Sequence, residues 1–146
     1  MKRLAKIVAA CAVMVFSTVS CNKSEKGHTD GGWDPIEIDT PKLSFTAEGG
    51  EQVIQVLNYQ SWWINCGYES AAYINSQWEY TNFITPTSAD EDLLDGGWYH
   101  VSIPTDKANT AVVTVDANDS SAPREATIEM QLFNAFGKFE IYQATH

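Results

Sequence analysis

From about Ile36 onward, apolar and polar residues alternate in short segments rich in Val, Ile, Thr, Phe and Tyr, broken by Gly, Asn, Asp and Pro. A period of two places successive side chains on opposite faces of a strand, and no stretch shows a 3.6-residue apolar period with helix caps. The pattern predicts strands at Leu43 to Ala47, Gln52 to Leu57, Trp62 to Cys66, Trp98 to Ile103, Ala111 to Asp116, Ala126 to Leu132 and Lys138 to Gln143. So many short strands within one domain point to an all-β fold, an immunoglobulin-like β-sandwich of about seven to eight strands. Alternation assigns an inward set of Ile54, Val56, Trp62, Ile64, Cys66, Val113, Val115, Ala126, Ile128, Met130, Phe139 and Ile141. It leaves Trp63, Asn65, Glu140 and Tyr142 on the outer face. Glu48-Gly49-Gly50-Glu51 and Asn134-Ala135-Phe136-Gly137 stand where hairpin turns are needed, with Gly available for positive φ. The interval from Gly67 to Gly97 is too long for an ordinary sandwich loop, and Gln77 to Ile84 within it reads as a further strand.

One apolar run does not fit this texture. Ile7 to Val19 follows Lys2, Arg3 and Lys6 and ends in Ser20-Cys21-Asn22. At about 13 residues it is shorter than the roughly 18 to 20 that span a bilayer, and it has the layout of a secretory signal. Thr18-Val19-Ser20-Cys21 resembles a lipobox, in which the cysteine thiol accepts a diacylglycerol before cleavage. Val8-Ala9-Ala10-Cys11 matches the short pattern too, but cleavage there leaves an apolar region of only about four residues where 7 to 15 are usual. We therefore expect residues 1–20 to be a lipoprotein signal peptide, Cys21 the lipidated residue, and the partner a membrane reached through that N-terminal anchor. The alternative is an ordinary secreted protein with a chance cysteine near the cleavage site. Residues 21–36 are polar and glycine-rich and read as a flexible tether, whose one bulky residue, Trp33, either docks on the domain or stays loose. Residues 37–146 form the domain.

Charge narrows the partners. Removing residues 1–20 takes away three of the nine basic residues and none of the 19 acidic ones, leaving a net charge of about −13. A surface of that sign is repelled by phosphate backbones, so nucleic acid is not expected as a partner. With Cys11 removed and Cys21 acylated, Cys66 stands alone, which excludes an internal disulfide and fits a small buried hydrophobe.

The candidate chemistry is aromatic. Five Trp, six Tyr and six Phe are ample both for a core and for rings that stack on sugar faces. Trp63, Trp78, Tyr80, Trp98 and Tyr99 are the candidate ligand-binding residues. The acidic run Asp90-Glu91-Asp92 with Asp95 lacks the central Gly and terminal Glu of an EF-hand and reads as a solvated loop. His28, His100 and His146 are too scattered to make a zinc site, so no metal or cofactor is expected. No Gly-x-Ser-x-Gly, phosphate loop or dinucleotide fingerprint is present, and the chain reads as non-catalytic.

Several landmarks in order resemble the BACON domain, a module of surface and secreted proteins of gut Bacteroidetes that is frequently found beside carbohydrate-active enzymes. They begin with Leu43-Ser44-Phe45-Thr46-Ala47-Glu48-Gly49-Gly50 and run through Gln52-Val53-Ile54-Gln55-Val56 to Trp62. Ala111-Val112-Val113-Thr114-Val115-Asp116-Ala117-Asn118 is similar to the family's strand ending in Asn. Pro123-Arg124-Glu125-Ala126-Thr127-Ile128 resembles its Arg-headed strand, and Ile141-Tyr142-Gln143 its closing strand with Gln. Trp98-Tyr99-His100-Val101-Ser102 is similar to a second tryptophan motif of the family. The departure is Gly67 to Gly97, longer and more aromatic than the family's corresponding region.

The resemblance implies a cell-envelope lipoprotein of the outer membrane, facing either the surface or the periplasm, that binds carbohydrate such as a glycan or mucin. The other reading is a structural or accessory domain that contacts envelope proteins without binding sugar. Clustered, exposed aromatics on the long interval favour the first, and a smooth polar surface with buried Trp favours the second.

Overall fold

The computed structural model describes residues 32–146, so the signal peptide and Cys21 lie outside the described residues. Among the described residues ten strands occur: β1 (Lys42–Phe45), β2 (Gly50–Gln55), β3 (Trp63–Tyr68), β4 (Ser70–Ile74), β5 (Gln77–Thr81), β6 (Leu93–Asp95), β7 (Tyr99–Ser102), β8 (Thr110–Val115), β9 (Arg124–Leu132) and β10 (Ala135–Gln143). Eight of them build two four-stranded sheets, ordered β1-β10-β9-β3 and β2-β8-β7-β6, and β4 with β5 forms a separate ribbon. The domain is an all-β sandwich. Within its sheets β1 pairs with β10 in parallel and every other neighbour is antiparallel.

The inward faces meet as the alternation requires. Ile54, Val113, Ile128, Met130, Phe139 and Ile141 are fully buried, joined by Leu43, Ile64, Leu94, Tyr99 and Val101. Trp62 is buried beside them, and its indole N–H finds no acceptor among the described residues. Trp33 docks rather than staying loose: its ring lies 5.4 Å from Phe133 and 6.3 Å from Tyr59. Ile36 is buried and donates its N–H to the Phe136 carbonyl, so the last residues of the expected tether already lie on the sandwich.

Both expected hairpin turns differ in detail. The Gly49-Gly50 turn joins β1 to β2, which belong to different sheets, so it carries the chain across the sandwich instead of closing a hairpin. Gly49 has φ +76, and a Cβ there would sit 2.1 Å from the Val115 carbonyl oxygen, so the position demands glycine. The β9–β10 hairpin turns through Phe133-Asn134, with Phe133 at φ 50, and not at Gly137. Gly137 instead lies within β10, where a Cβ would come 2.8 Å from that of Ile36.

Cys66 corrects the face assignment. Register slips between Ile64 and Cys66, leaving Asn65 as the extra residue of a β-bulge. One added residue inverts every later side chain, since the pleat repeats in two. Gly67 therefore faces the core, where a Cβ would meet Leu94 and the Tyr99 hydroxyl, each at 2.8 Å. Cys66 and Tyr68 turn to the outer side, where both meet Glu129.

Candidate functional site

The interval 67–97 contains the strands β4, β5 and β6, confirming a strand within Gln77 to Ile84 and adding two more. Gly67 and Ile84 exchange backbone hydrogen bonds at 2.9 and 3.0 Å, so the chain leaves and rejoins the sandwich at the end of β3. Between those points β4 and β5 run out as a two-stranded arm, and each of their residues is exposed. Asn75 and Ser76 turn the arm, both at positive φ (50° and 66°), as a two-residue turn matching the strand twist requires.

Register decides what the arm displays. Tyr73 faces Trp78 across the ribbon, and Ala71 faces Tyr80. Residues opposite each other share a face, so Tyr73, Trp78 and Tyr80 stand together while Ser70, Ala72, Glu79 and Thr81 take the other side. Ala71 offers only a methyl group, leaving the Tyr80 ring free to lie beside Trp78. The rings form a contiguous row. Tyr73 and Trp78 have centroids 5.3 Å apart, and Trp78 and Tyr80 6.4 Å apart with planes 26° from parallel. Tyr80 then meets Phe83 at 5.4 Å and Tyr68 at 4.9 Å. Tyr73, Trp78, Tyr80 and Phe83 are 62%, 60%, 42% and 49% exposed, unusual for rings of this size.

At its foot the row reaches polar groups. The Tyr68 hydroxyl donates to Glu129 Oε1 at 3.2 Å, and Asn65 Nδ2 donates to Oε2 at 3.3 Å. The Cys66 thiol lies 3.6 Å from the same oxygen. Burial first, then the Glu129 carboxylate, pushes the Cys66 thiol and the Tyr68 phenol up to about 12. Burial, with Glu69 next, does the same for Tyr99.

These shifts have a sign. All three groups remain protonated in the native fold over a range where the unfolded chain has released its protons. The unfolded state then binds fewer protons, and stability falls as pH rises. The contribution is complete below about pH 9 and lost progressively toward pH 12. Urea midpoints should accordingly drop between about pH 8 and about pH 11, and the drop should shrink in Cys66→Ala. A midpoint flat across that range would contradict the burial of these groups.

The arm's root is clamped. Glu69 Oε1 accepts the Trp98 indole N–H at 2.8 Å and its Oε2 accepts Asn82 Nδ2 at 2.7 Å, so one carboxylate ties the sandwich to both strands of the arm. Trp98 is half-buried, with the Arg124 guanidinium 4.7 Å over its ring and Tyr99 4.9 Å from it edge-on. Its stacking surface is taken. Tyr99 is 1% exposed and belongs to the core, a correction to its place among the candidate binding residues. It points inward because Tyr99, Val101 and Ile103 share one phase of the alternation, and the opposite phase carries His100 and Ser102. Trp63 stays on the outer face as expected but packs edge-on against Phe133 at 5.6 Å, in the separate cluster where Trp33 docks. Of the five candidates, the structure brings Trp78 and Tyr80 into the row on the arm and adds Tyr73, Phe83 and Tyr68.

The acidic run is a tie between the sheets. The Glu91 carbonyl accepts the Ile64 N–H and the Asp92 carbonyl the Ile103 N–H, both at 2.9 Å. Asp90 and Glu91 are exposed, Asp95 Oδ1 accepts the Gly97 N–H at 2.9 Å and lies 3.3 Å from His100 Nδ1, and no group of three metal-ligating side chains occurs among the described residues.

No protein-family model matches the chain, and no curated protein matches it significantly. The fold has a solved counterpart. It is similar to the NMR structure of a protein from Bacteroides thetaiotaomicron, at 28% identity and a TM-score of 0.59, over 84% of this chain and 97% of that one.

Proposed function

We propose that this chain is a non-catalytic, lipid-anchored protein of the cell envelope that binds carbohydrate through the β4–β5 arm. The observation that carries the reading is the row of exposed rings Tyr73, Trp78 and Tyr80 on a ribbon whose every residue is exposed. Rings exposed to this extent gain by covering their faces, and the C–H faces of a sugar provide the cover while its hydroxyls stay in water. The resemblance of the sequence landmarks to BACON domains supports the same reading.

Placement supports it as well. Trp33, where the anchored N-terminal segment meets the domain, packs beside Trp63 at the start of β3, while the arm leaves from the end of that strand. The arm thus leaves β3 at the end opposite the one where Trp33 docks.

The test is a glycan array probed with residues 22–146, spanning plant, mucin and host glycans, followed by titration of each hit. Trp78→Ala should weaken a hit by roughly tenfold or more, equivalent to about 1.4 kcal/mol of lost ring contact, with the circular dichroism spectrum unchanged. Trp63→Ala, away from the arm, should leave the affinity as it was. Silence across the array would leave the protein-contacting role as the better reading, and binding indifferent to Trp78 would place the sugar away from the arm.

A further inference from the structure

We infer that the arm takes an uncharged polysaccharide, gripped along the middle of its chain and not at an end. This rests on the reading that the arm binds sugar, and adds the class of sugar and the mode of contact.

Charge sets the class. From Leu43 to Tyr99 there is no Lys, Arg or His, while Glu48, Glu51, Glu69, Glu79, Asp90, Glu91, Asp92 and Asp95 fall in the same stretch. Glu79 lies on the reverse face of the arm, Glu69 at its root, and Glu129 under the foot of the row. Two cations of the sandwich lie near this root. Arg124 donates Nε and Nη2 to Gln143 and Nη2 also to the Asp116 and Ala117 carbonyls, with its face against Trp98. Lys138 stands opposite Glu129 in the register of β9 and β10, so the foot of the row carries one charge of each sign. A sulfated, uronate or sialylated chain would meet carboxylates with no cation on the arm to receive it, inside the field of a strongly acidic domain.

Shape sets the mode. Recognition of a chain end needs an enclosing pocket, and the rings from Tyr73 through Trp78 and Tyr80 to Tyr68 form an open row. The concavity at the arm's root, lined by Glu69, Ser70, Thr81, Arg124 and Glu125, lies with the polar face and not with the rings. A row of this kind gains with each sugar that covers another ring, up to the length of the row. At its foot the Glu129 carboxylate and the Asn65 amide supply hydrogen-bonding groups for the sugar hydroxyls.

The experiment titrates residues 22–146 with cello-, manno-, xylo- and laminari-oligosaccharides from disaccharide to hexasaccharide, and in parallel with oligogalacturonate and chondroitin sulfate. At least one neutral series should gain affinity with length and then level off. That binding should be insensitive to salt between about 0.05 and 0.5 M, because no ion pair forms, and should fall by roughly tenfold in Trp78→Ala and in Tyr73→Ala. Two outcomes overturn the inference while leaving sugar binding intact: Trp78-dependent binding of an acidic polymer in preference to every neutral one, or affinity for a neutral series already complete at the disaccharide. Binding to none of these probes and to nothing on the array overturns this inference together with the reading it rests on.

Discussion

Gln143→Leu is expected to cost about 3 kcal/mol of folding stability and to lower the melting temperature by roughly 10 °C, although the two side chains are close in volume. Gln143 is fully buried near the end of β10. Its Nε2 donates to the carbonyls of Asp116 at 2.7 Å and of Thr46 and Ala47 at 3.2 Å, and its Oε1 accepts from Arg124 Nη2 at 2.6 Å and Nε at 3.1 Å. Those partners come from both sheets and from the segment that crosses between them. Leucine would fill the space and satisfy none of them.

The cost is set by which partners are left bare. Thr46, Ala47 and Asp116 each keep another donor, Gly49 N–H, Asn118 N–H and Arg124 Nη2 respectively, so the carbonyls lose one bond of two. Arg124 suffers more, because Nε loses the acceptor it has and the charge-assisted bond from Nη2 to Gln143 goes with it. Asn118, equally buried, continues the clasp: its Nδ2 donates to the Ala122 and Ala144 carbonyls at 3.0 and 3.2 Å, and its Oδ1 accepts from Ser120. Chemical denaturation of Gln143→Leu beside Gln131→Leu, a half-exposed position on the same sheet, gives the comparison. A loss below about 1 kcal/mol at Gln143 would mean that this network does not hold the two sheets together.

Asn118, Arg124 and Gln143 were all visible in the sequence as landmarks of three separate strands, yet nothing in their spacing shows that they meet. Their meeting place depends on β1 crossing between the sheets and on the parallel pairing of β1 with β10, which are long-range choices. Local alternation fared better. It fixed the inward faces of β2, β8, β9 and β10, because a one-residue slip there would expose a row of Val, Ile and Phe. It failed at Cys66, where a bulge of a single residue, carrying no Gly or Pro to mark it, reverses the phase. It was available but outweighed at Tyr99, whose phase partners Val101 and Ile103 are apolar.

The arm was half legible. Trp78 and Tyr80, two apart with Glu79 between them, already read as one face of a strand. Tyr73 could join them only once the turn was known, and that turn is built from Asn75 and Ser76 without a glycine. Asn is a usual residue at positive φ and Ser is not, so the sequence gives half of the signal for a two-residue hairpin. Tyr68 was hidden by the same bulge that misplaced Cys66, since it is the phase reversal that brings Tyr68 to the side where Tyr80 and Glu129 lie.

Replacing residues 70–81 with a short Gly-Ser turn should abolish glycan binding while leaving the sandwich folded. Every residue of β4 and β5 is exposed, and none belongs to the buried core cluster. The backbone bonds between Gly67 and Ile84 lie outside the excised segment, so the point where the chain departs and returns is kept. What the sandwich loses is the Tyr80 ring over Tyr68, the Glu69 N–H bond to the Thr81 carbonyl, and the approach of Ser70 and Thr81 to Arg124 and Glu125 at the start of β9. Together these are expected to lower stability by only about 1 kcal/mol, a few degrees in melting temperature. Binding depends on the opposite set of groups. Tyr73, Trp78 and Tyr80 all go, and the two rings that remain, Phe83 and the largely buried Tyr68, no longer form a row. The excised chain should therefore melt cooperatively near the parent temperature and give no titration signal with any sugar the parent binds. Retained affinity would move the site to the Trp63–Phe133 end of the sheet, whereas loss of cooperative melting would show that the arm is part of the fold and not an appendage displayed by it.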